Sequence, residues 1–400
     1  MSQFTGARTN GDHLAVLDGL RGLAIVLVVI THSFITGYRP AAALGPVSIG
    51  LEPLVLAGSL GVELFFFISG FVLFVPYARA ACGERSVPTL RHFIDRRFIK
   101  IVPSYYLTLG IAAFLLFVPA DVEAARVPQL ISHTLFAHTF WHESIFAFVS
   151  AFWSLGIEVQ FYVLFPAIAA AMRRWPIPTY LTLLAIGEAY RIWLQVSAHN
   201  HDFYWVCQLP GQIDLFGLGM LAAYGYTRFR THANVTRVRA YGTAGAVAAF
   251  AFGIWLLDDF SHVTKTLRVE DHQSWQNDHR LIVAFTIAAL ALGSLFAADW
   301  WRSLVANPLL VWLSGISYNL YLWHDAIIVQ CSKTGFPCSG IPNPWQTQTH
   351  WDITFFWTYV GISVAVAWTI TVAFERPLLA LGTRGVVERV RHSAGRWTAR

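Results

Sequence analysis

LDGLRGLAIVLVVITHSF, residues 17–34, opens on Asp18 and Arg21, runs apolar for almost three turns, and carries one histidine, His32, near its end. A helix needs about 20 mostly apolar residues to cross a hydrocarbon core of ~30 Å. Working outward from this stretch, ten runs meet that demand: approximately 17–38, 58–78, 98–118, 152–172, 179–198, 209–227, 241–258, 281–298, 308–330 and 353–374. The backbone polar groups of each must be satisfied internally, which excludes open sheet. The runs are continuously apolar rather than alternating, which excludes a barrel. The reading is an all-α polytopic membrane bundle of about ten transmembrane helices.

Composition agrees. Of 400 residues 56% are hydrophobic and only 13% charged, where a soluble domain has about a quarter charged, and the mean hydropathy is +0.51. The 16 Trp and 14 Tyr can furnish interfacial belts. The net charge of +5 sits in short clusters between apolar runs, as topology requires, and no long basic segment offers a groove for nucleic acid. Four cysteines are too few for a disulfide framework; Cys331 and Cys338 share one expected outer loop and could pair. The polar start, Met1 to Asp18, reads as a cytosolic segment without a cleavable signal.

The positive-inside rule sets direction. With both termini cytosolic, Arg79, Arg85, Arg91, Arg96, Arg97, Lys100, Arg173, Arg174, Arg228, Arg230, Arg237 and Arg239 fall inside, while the outer side keeps Arg39, Arg126, Lys265, Arg268, Arg280 and Lys333. The expected organisation is a cytosolic segment 1–16, a membrane domain 17–377 and a basic cytosolic tail 378–400, in a plasma (cell inner) membrane. Residues 129–151 read as an outer interfacial helix or re-entrant segment, and 258–280 as a polar outer loop.

Ionisable residues inside spans are costly and are functional candidates. Arg21 and His32 are eleven residues apart, close to three helical turns, so they share a face. With Arg21 at the cytosolic boundary, His32 lies roughly 16 Å deeper at 1.5 Å per residue. A neutral imidazole there can take a proton from a hydroxyl, although a structural histidine bonded to a neighbouring helix has the same signature. Arg97 and Lys100, three apart at the cytosolic entrance, suit the phosphates of a nucleotide-like donor, or serve only as topology anchors. Glu158 and Glu63 fall toward the outer side. Glu188 and Arg191 can neutralise each other on one helix. Asp214, His324 and Asp325 complete the set. No His, Cys or carboxylate grouping has metal-ligand spacing.

LDGLRGLAIVLVVITHSF (17–34), GVELFFFISGFVL (61–73), RRFIKIVPSYYL (96–107), FWSLGIEVQFYVLFP (152–166), QIDLFGLGM (212–220), ISYNLYLWH (316–324) and FERP (374–377) together resemble the integral-membrane acyltransferase family 3, in family order along nearly the whole chain. Glu63 stands where that family usually has Asp, and Lys100 replaces its second Arg. The resemblance implies a ten-helix acyltransferase that moves an acetyl or related acyl group from cytosolic acyl-CoA, as donor substrate, to a hydroxyl of a glycan, an antibiotic or another hydroxylated acceptor, with no tightly bound cofactor. It implies His32 as catalytic residue, as general base or as nucleophile, with Arg97 and Lys100 holding the donor and Arg21 nearby. Glu158 is the second catalytic candidate; Glu63, Trp153, Asp214 and His324 are candidates on the acceptor side. A secondary transporter for a small polar solute is the competing reading, but no repeated halves are evident.

Overall fold

The computed structural model describes residues 14–35, 41–44, 47–50, 58–117, 126–230, 235–266, 269–337 and 349–382. The elements in chain order are α1 (Ala15–Ile35), a short antiparallel hairpin of β1 (Ala41–Leu44) and β2 (Val47–Gly50), α2 (Gly58–Ala81), α3 (Leu90–Phe117) and α4 (Arg126–Thr134). They continue with α5 (Phe152–Arg174), α6 (Pro176–Val196), the single-turn α7 (Phe203–Val206), α8 (Ile213–Phe229), α9 (Val235–Thr266), α10 (Val269–Asp278) and α11 (Arg280–Phe296). Last come α12 (Asp299–Val305), α13 (Pro308–Thr334) and α14 (Thr349–Ile370), which passes into a π-helical turn at Thr371–Glu375.

Every one of the ten expected runs overlaps a helix of at least 17 residues. Among the described residues six helices are both long and apolar enough to cross a membrane: α1, α2, α3, α5, α9 and α14. The other four runs fall on α6, α8, α11 and α13. Two of these, α8 and α11, have only 17 residues. The remaining two carry polar side chains inward: Glu188 and Arg191 on α6, His324 and Asp325 on α13.

Lipid offers no hydrophobic drive for helix association, so close approach through small residues matters. At the crossing of α2 and α8 a Cβ on Gly70 would lie 2.1 Å from the Phe216 carbonyl oxygen, and one on Gly219 would lie 2.1 Å from that of Phe67. The glycines let the two backbones touch. Around this contact Phe67, Phe71, Phe74, Phe161, Phe165 and Phe216 are wholly buried and form the centre of the core. α13 is set by its ends: Asn307 Oδ1 accepts from the Leu310 N–H (3.0 Å), Pro308 opens the first turn, and Gly335 closes the last in the left-handed region (φ 65°).

Two expectations are corrected. The stretch 258–280 is not a loop: α9 continues to Thr266 and α10 follows. The two helices are joined by side chains, with Trp275 Nε1 donating to Asp259 (2.8 Å), while Trp275 also stacks on His279 (4.3 Å). Arg280, assigned to that loop, is instead buried at the start of α11. In 129–151 the helical part is α4 and a 3₁₀ turn at His138–Phe140, followed by turns. Cys331 is buried with a free thiol; its suggested partner Cys338 lies outside the described residues, as do the first 13 residues and 383–400.

Candidate active site

A small cleft, of about 50 Å³, lies among α1, α2, α5 and α13. Arg21, Phe65, Ser69, Ser154, Glu158, Ser317, Tyr318 and Tyr321 are on its walls. The sequence brings these together because the family-like segments each put a small or polar residue on the inward face of an otherwise apolar helix. Arg21 enters from α1 with its Nε buried and unpaired, and its guanidinium carbon is 5.9 Å from the centre of the Phe65 ring. Glu158 enters from α5 and accepts a hydrogen bond from Ser69 Oγ (2.7 Å).

Tyr162, one turn beyond Glu158, engages both that carboxylate and Arg97, and the Arg97 guanidinium carbon is 6.0 Å from its ring centre. Lys100 has a different partner. It is ion-paired with Glu375 on the π-helical turn and sits 5.4 Å from the Tyr318 ring centre. Asn319 Nδ2 donates to Glu375 (2.8 Å) and to Thr371 Oγ1 (2.9 Å). Single π turns concentrate at functional sites, and this one aims Glu375 back into the bundle. Arg97 and Lys100 are therefore one helical turn apart in chain and divided between two polar networks.

His32 is half-buried and is not on the cleft wall. Its Nδ1 is 2.9 Å from the Val28 carbonyl oxygen. A carbonyl only accepts, so this nitrogen carries the hydrogen and Nε2 is left with the lone pair. The His32 ring meets that of His324 edge to face, with centres 4.5 Å apart and planes at 90°. His324 in turn is 5.7 Å from Tyr321, and the Tyr321 hydroxyl shares a 2.6 Å hydrogen bond with Ser154. Tyr321 thus belongs to both the cleft and the imidazole pair.

The remaining candidates fall elsewhere. Glu63 is 2.6 Å from Arg280 in a buried ion pair. Asp214 is held by Arg191 (2.8 Å), which also binds Glu188 (2.7 Å) and the Gly211 carbonyl (3.0 Å). The expected Glu188–Arg191 pair is present, and Asp214 joins it. Trp153 packs edge-on against Phe203 (5.7 Å) and Phe66 (6.2 Å). Among the described residues no cluster of three His, Cys, Asp or Glu could hold a metal ion.

Sequence reasoning gave no role to Ser69, Tyr162, Tyr321 or Glu375. All four lie inside quoted motif segments, which was the available signal. The same reasoning read 129–151 as an interfacial or re-entrant segment but gave its histidines no role. There His133 and His138 are buried and stacked with centres 4.2 Å apart. Burial, and for His133 its neighbour His138, pushes the two imidazoles down to about 3 and about 4. Asp325 ties this segment to α13 by accepting from the Ser150 N–H and hydroxyl, both at 2.9 Å.

The family model described as an acyltransferase domain matches residues 14–374. Among curated proteins, the O-acetyltransferase OatA of Staphylococcus aureus (strain NCTC 8325 / PS 47) is 26% identical over 340 residues, covering 79% of this chain and 51% of the relative. The peptidoglycan O-acetyltransferase OatA of Listeria monocytogenes is 21% identical over 343 residues, covering 80% and 50%. A provisionally named O-acetyltransferase of S. aureus (strain COL) is 22% identical over 334 residues, covering 78% and 50%. The chain spans about half the length of the curated relatives it matches. No solved structure matches it.

Proposed function

The chain belongs to the integral-membrane acyltransferase family 3, and from that membership we propose that it transfers an acyl group, acetyl first among candidates, from cytosolic acyl-CoA to a hydroxyl of a carbohydrate or similar acceptor. Residues 17–377 are read as the acyltransferase domain, ten-spanning in a plasma membrane, with both termini cytosolic. The observation that carries this reading is a cleft, largely apolar in its walls, onto which Arg21, Glu158 and Ser154 converge. Unneeded polar groups at such depth are costly.

The donor's phosphates rest at the cytosolic mouth against Arg97, with Lys100 freed for them if Glu375 gives way. The pantetheine arm runs through the cleft past Arg21. Tyr321 lines the cleft and touches His324, which meets His32, so in this proposal its ring swings aside, breaking its bond to Ser154, to admit the thioester. His32 Nε2 takes the proton of the acceptor hydroxyl as the oxygen attacks the thioester carbonyl. The C–S bond then breaks, and the departing thiolate recovers the proton from His32, leaving free CoA and the ester. In the alternative covalent route Nε2 itself attacks and the acyl-imidazole passes the group on. Glu158, pinned by Ser69, orients the acceptor. Trp153 offers an aromatic face to a sugar ring. Glu63 and Asp214 are proposed to act at a distance, by setting the spacing of α2, α6, α8 and α11 through their buried ion pairs.

Purified protein in nanodiscs, given acetyl-CoA labelled in the acetyl group and cell-wall or glycolipid oligosaccharides, tests the proposal by mass spectrometry. The expected product is a carbohydrate ester carrying one labelled acetyl. CoA release without a labelled acceptor, across a panel of hydroxylated compounds, would count against it.

A further inference from the structure

The His324 ring is wholly buried on α13. Its Nδ1 faces two carbonyl oxygens of its own helix, Tyr321 (2.8 Å) and Leu320 (3.1 Å), and so carries the hydrogen. Its Nε2 therefore holds a lone pair, and that atom is buried with no hydrogen-bond partner. An acceptor left unmade in the interior is disfavoured and calls for a physical reason.

Among the described residues no side chain donates to it. The Tyr321 hydroxyl is committed to Ser154 (2.6 Å). On α14 the Tyr359 hydroxyl donates to the Val29 carbonyl (2.5 Å). Asp325 is occupied by Ser150 and offers no hydrogen when ionised. His32 on α1, in ring contact at 4.5 Å, is the remaining titratable neighbour. In its resting tautomer it too presents a lone pair at Nε2. It gains an N–H there only when it accepts a proton.

We propose that His324 is a positioning residue for His32: its Nε2 receives a hydrogen bond from the His32 Nε2–H while His32 holds the acceptor's proton. The two rings are already in contact, so the bond needs only a turn of the His32 ring. The vacancy is thus reserved for the charged state of the reaction, where a hydrogen bond to a cation stabilises more than one between neutral groups. This moves His324 from the acceptor side to the support of the imidazole, and it rests on the reading of His32 as the catalytic group.

Two variants separate shape from lone pair. His324→Phe keeps a ring in edge contact but has no acceptor; His324→Gln puts an amide oxygen in reach of His32. With both checked for normal elution in detergent, His324→Phe is expected to lose about 10- to 100-fold in kcat while the donor KM stays within about 2-fold. His324→Gln is expected to remain within about 10-fold of the wild type. Wild-type kcat in His324→Phe, or equal losses in the two variants, would overturn the inference. Should His324→Phe fail to insert, His324→Gln decides alone: a loss well beyond 100-fold rejects the role and near-normal turnover supports it. Activity in His32→Ala would instead sink the reading of His32 itself; an inactive His32→Ala beside a fully active His324→Phe would sink only the role given to His324.

Discussion

Arg97 and Lys100 enter the same helix three residues apart and meet opposite partners, Arg97 a tyrosine shared with Glu158, Lys100 the carboxylate of Glu375. A cation already matched to a carboxylate contributes less to an incoming phosphate than one facing only an aromatic hydroxyl. Arg97→Ala is therefore expected to raise the donor KM by about 10-fold or more, with kcat at saturating donor and the acceptor KM little changed, since it removes a ground-state contact. Lys100→Ala is expected to raise it less. Steady-state kinetics with donor and acceptor varied in turn reads both; an unchanged donor KM in Arg97→Ala removes that role. At this scale the sequence made the residue types legible but not their partners. Eleven-residue spacing aligned Arg21 with His32 because both lie on one helix. Nothing local could announce that Lys100 pairs with Glu375 on the last helical stretch, or that Glu63 meets Arg280. Those pairings are decided by tertiary packing.

The elements differ in how far their sequence foretold them. Long apolar runs such as α2 and α5 are self-declaring, because each can bury a helical surface without knowing its neighbours. The helices that build the buried polar network read less clearly, since Glu188, Arg191 and Asp214 lower their apolar character while neutralising one another in the fold. The outer segment is a further case. The sequence assigned its histidines no role, and the structure buries His133 and His138 as a stacked pair. Their depressed values, about 3 and about 4 against an ordinary 6.5, mean that the unfolded chain binds more protons below pH 6.5. Stability from this pair is complete above pH 6.5 and is lost as pH falls from there toward 3. The thermal midpoint in detergent is expected to drop across that window, and His133→Phe with His138→Phe is expected to flatten the drop. An unchanged slope in the double variant would show that other groups set the acid sensitivity.

For the whole molecule, charges buried between helices serve two ends. Glu63–Arg280 and Asp214–Arg191–Glu188 neutralise each other's charge and tie α2 to α11 and α6 to α8. Removing one partner of such a pair leaves an uncompensated charge, which is far more damaging than the net stabilisation of the intact pair. Arg21 and Glu158 instead line the cleft, and Tyr321 joins that cleft to the His32–His324 pair, the placement expected of groups that meet a substrate. The account makes His32 the point where a donor arriving from the Arg97 face meets an acceptor from the other side. The most direct test places the wild type and His32→Ala in sealed vesicles of known orientation, with labelled acetyl-CoA offered to one face at a time. Labelled ester is predicted only when the wild type receives donor at the face bearing Arg97, and none from His32→Ala despite normal insertion. Ester formation by His32→Ala at the wild-type rate would contradict the account.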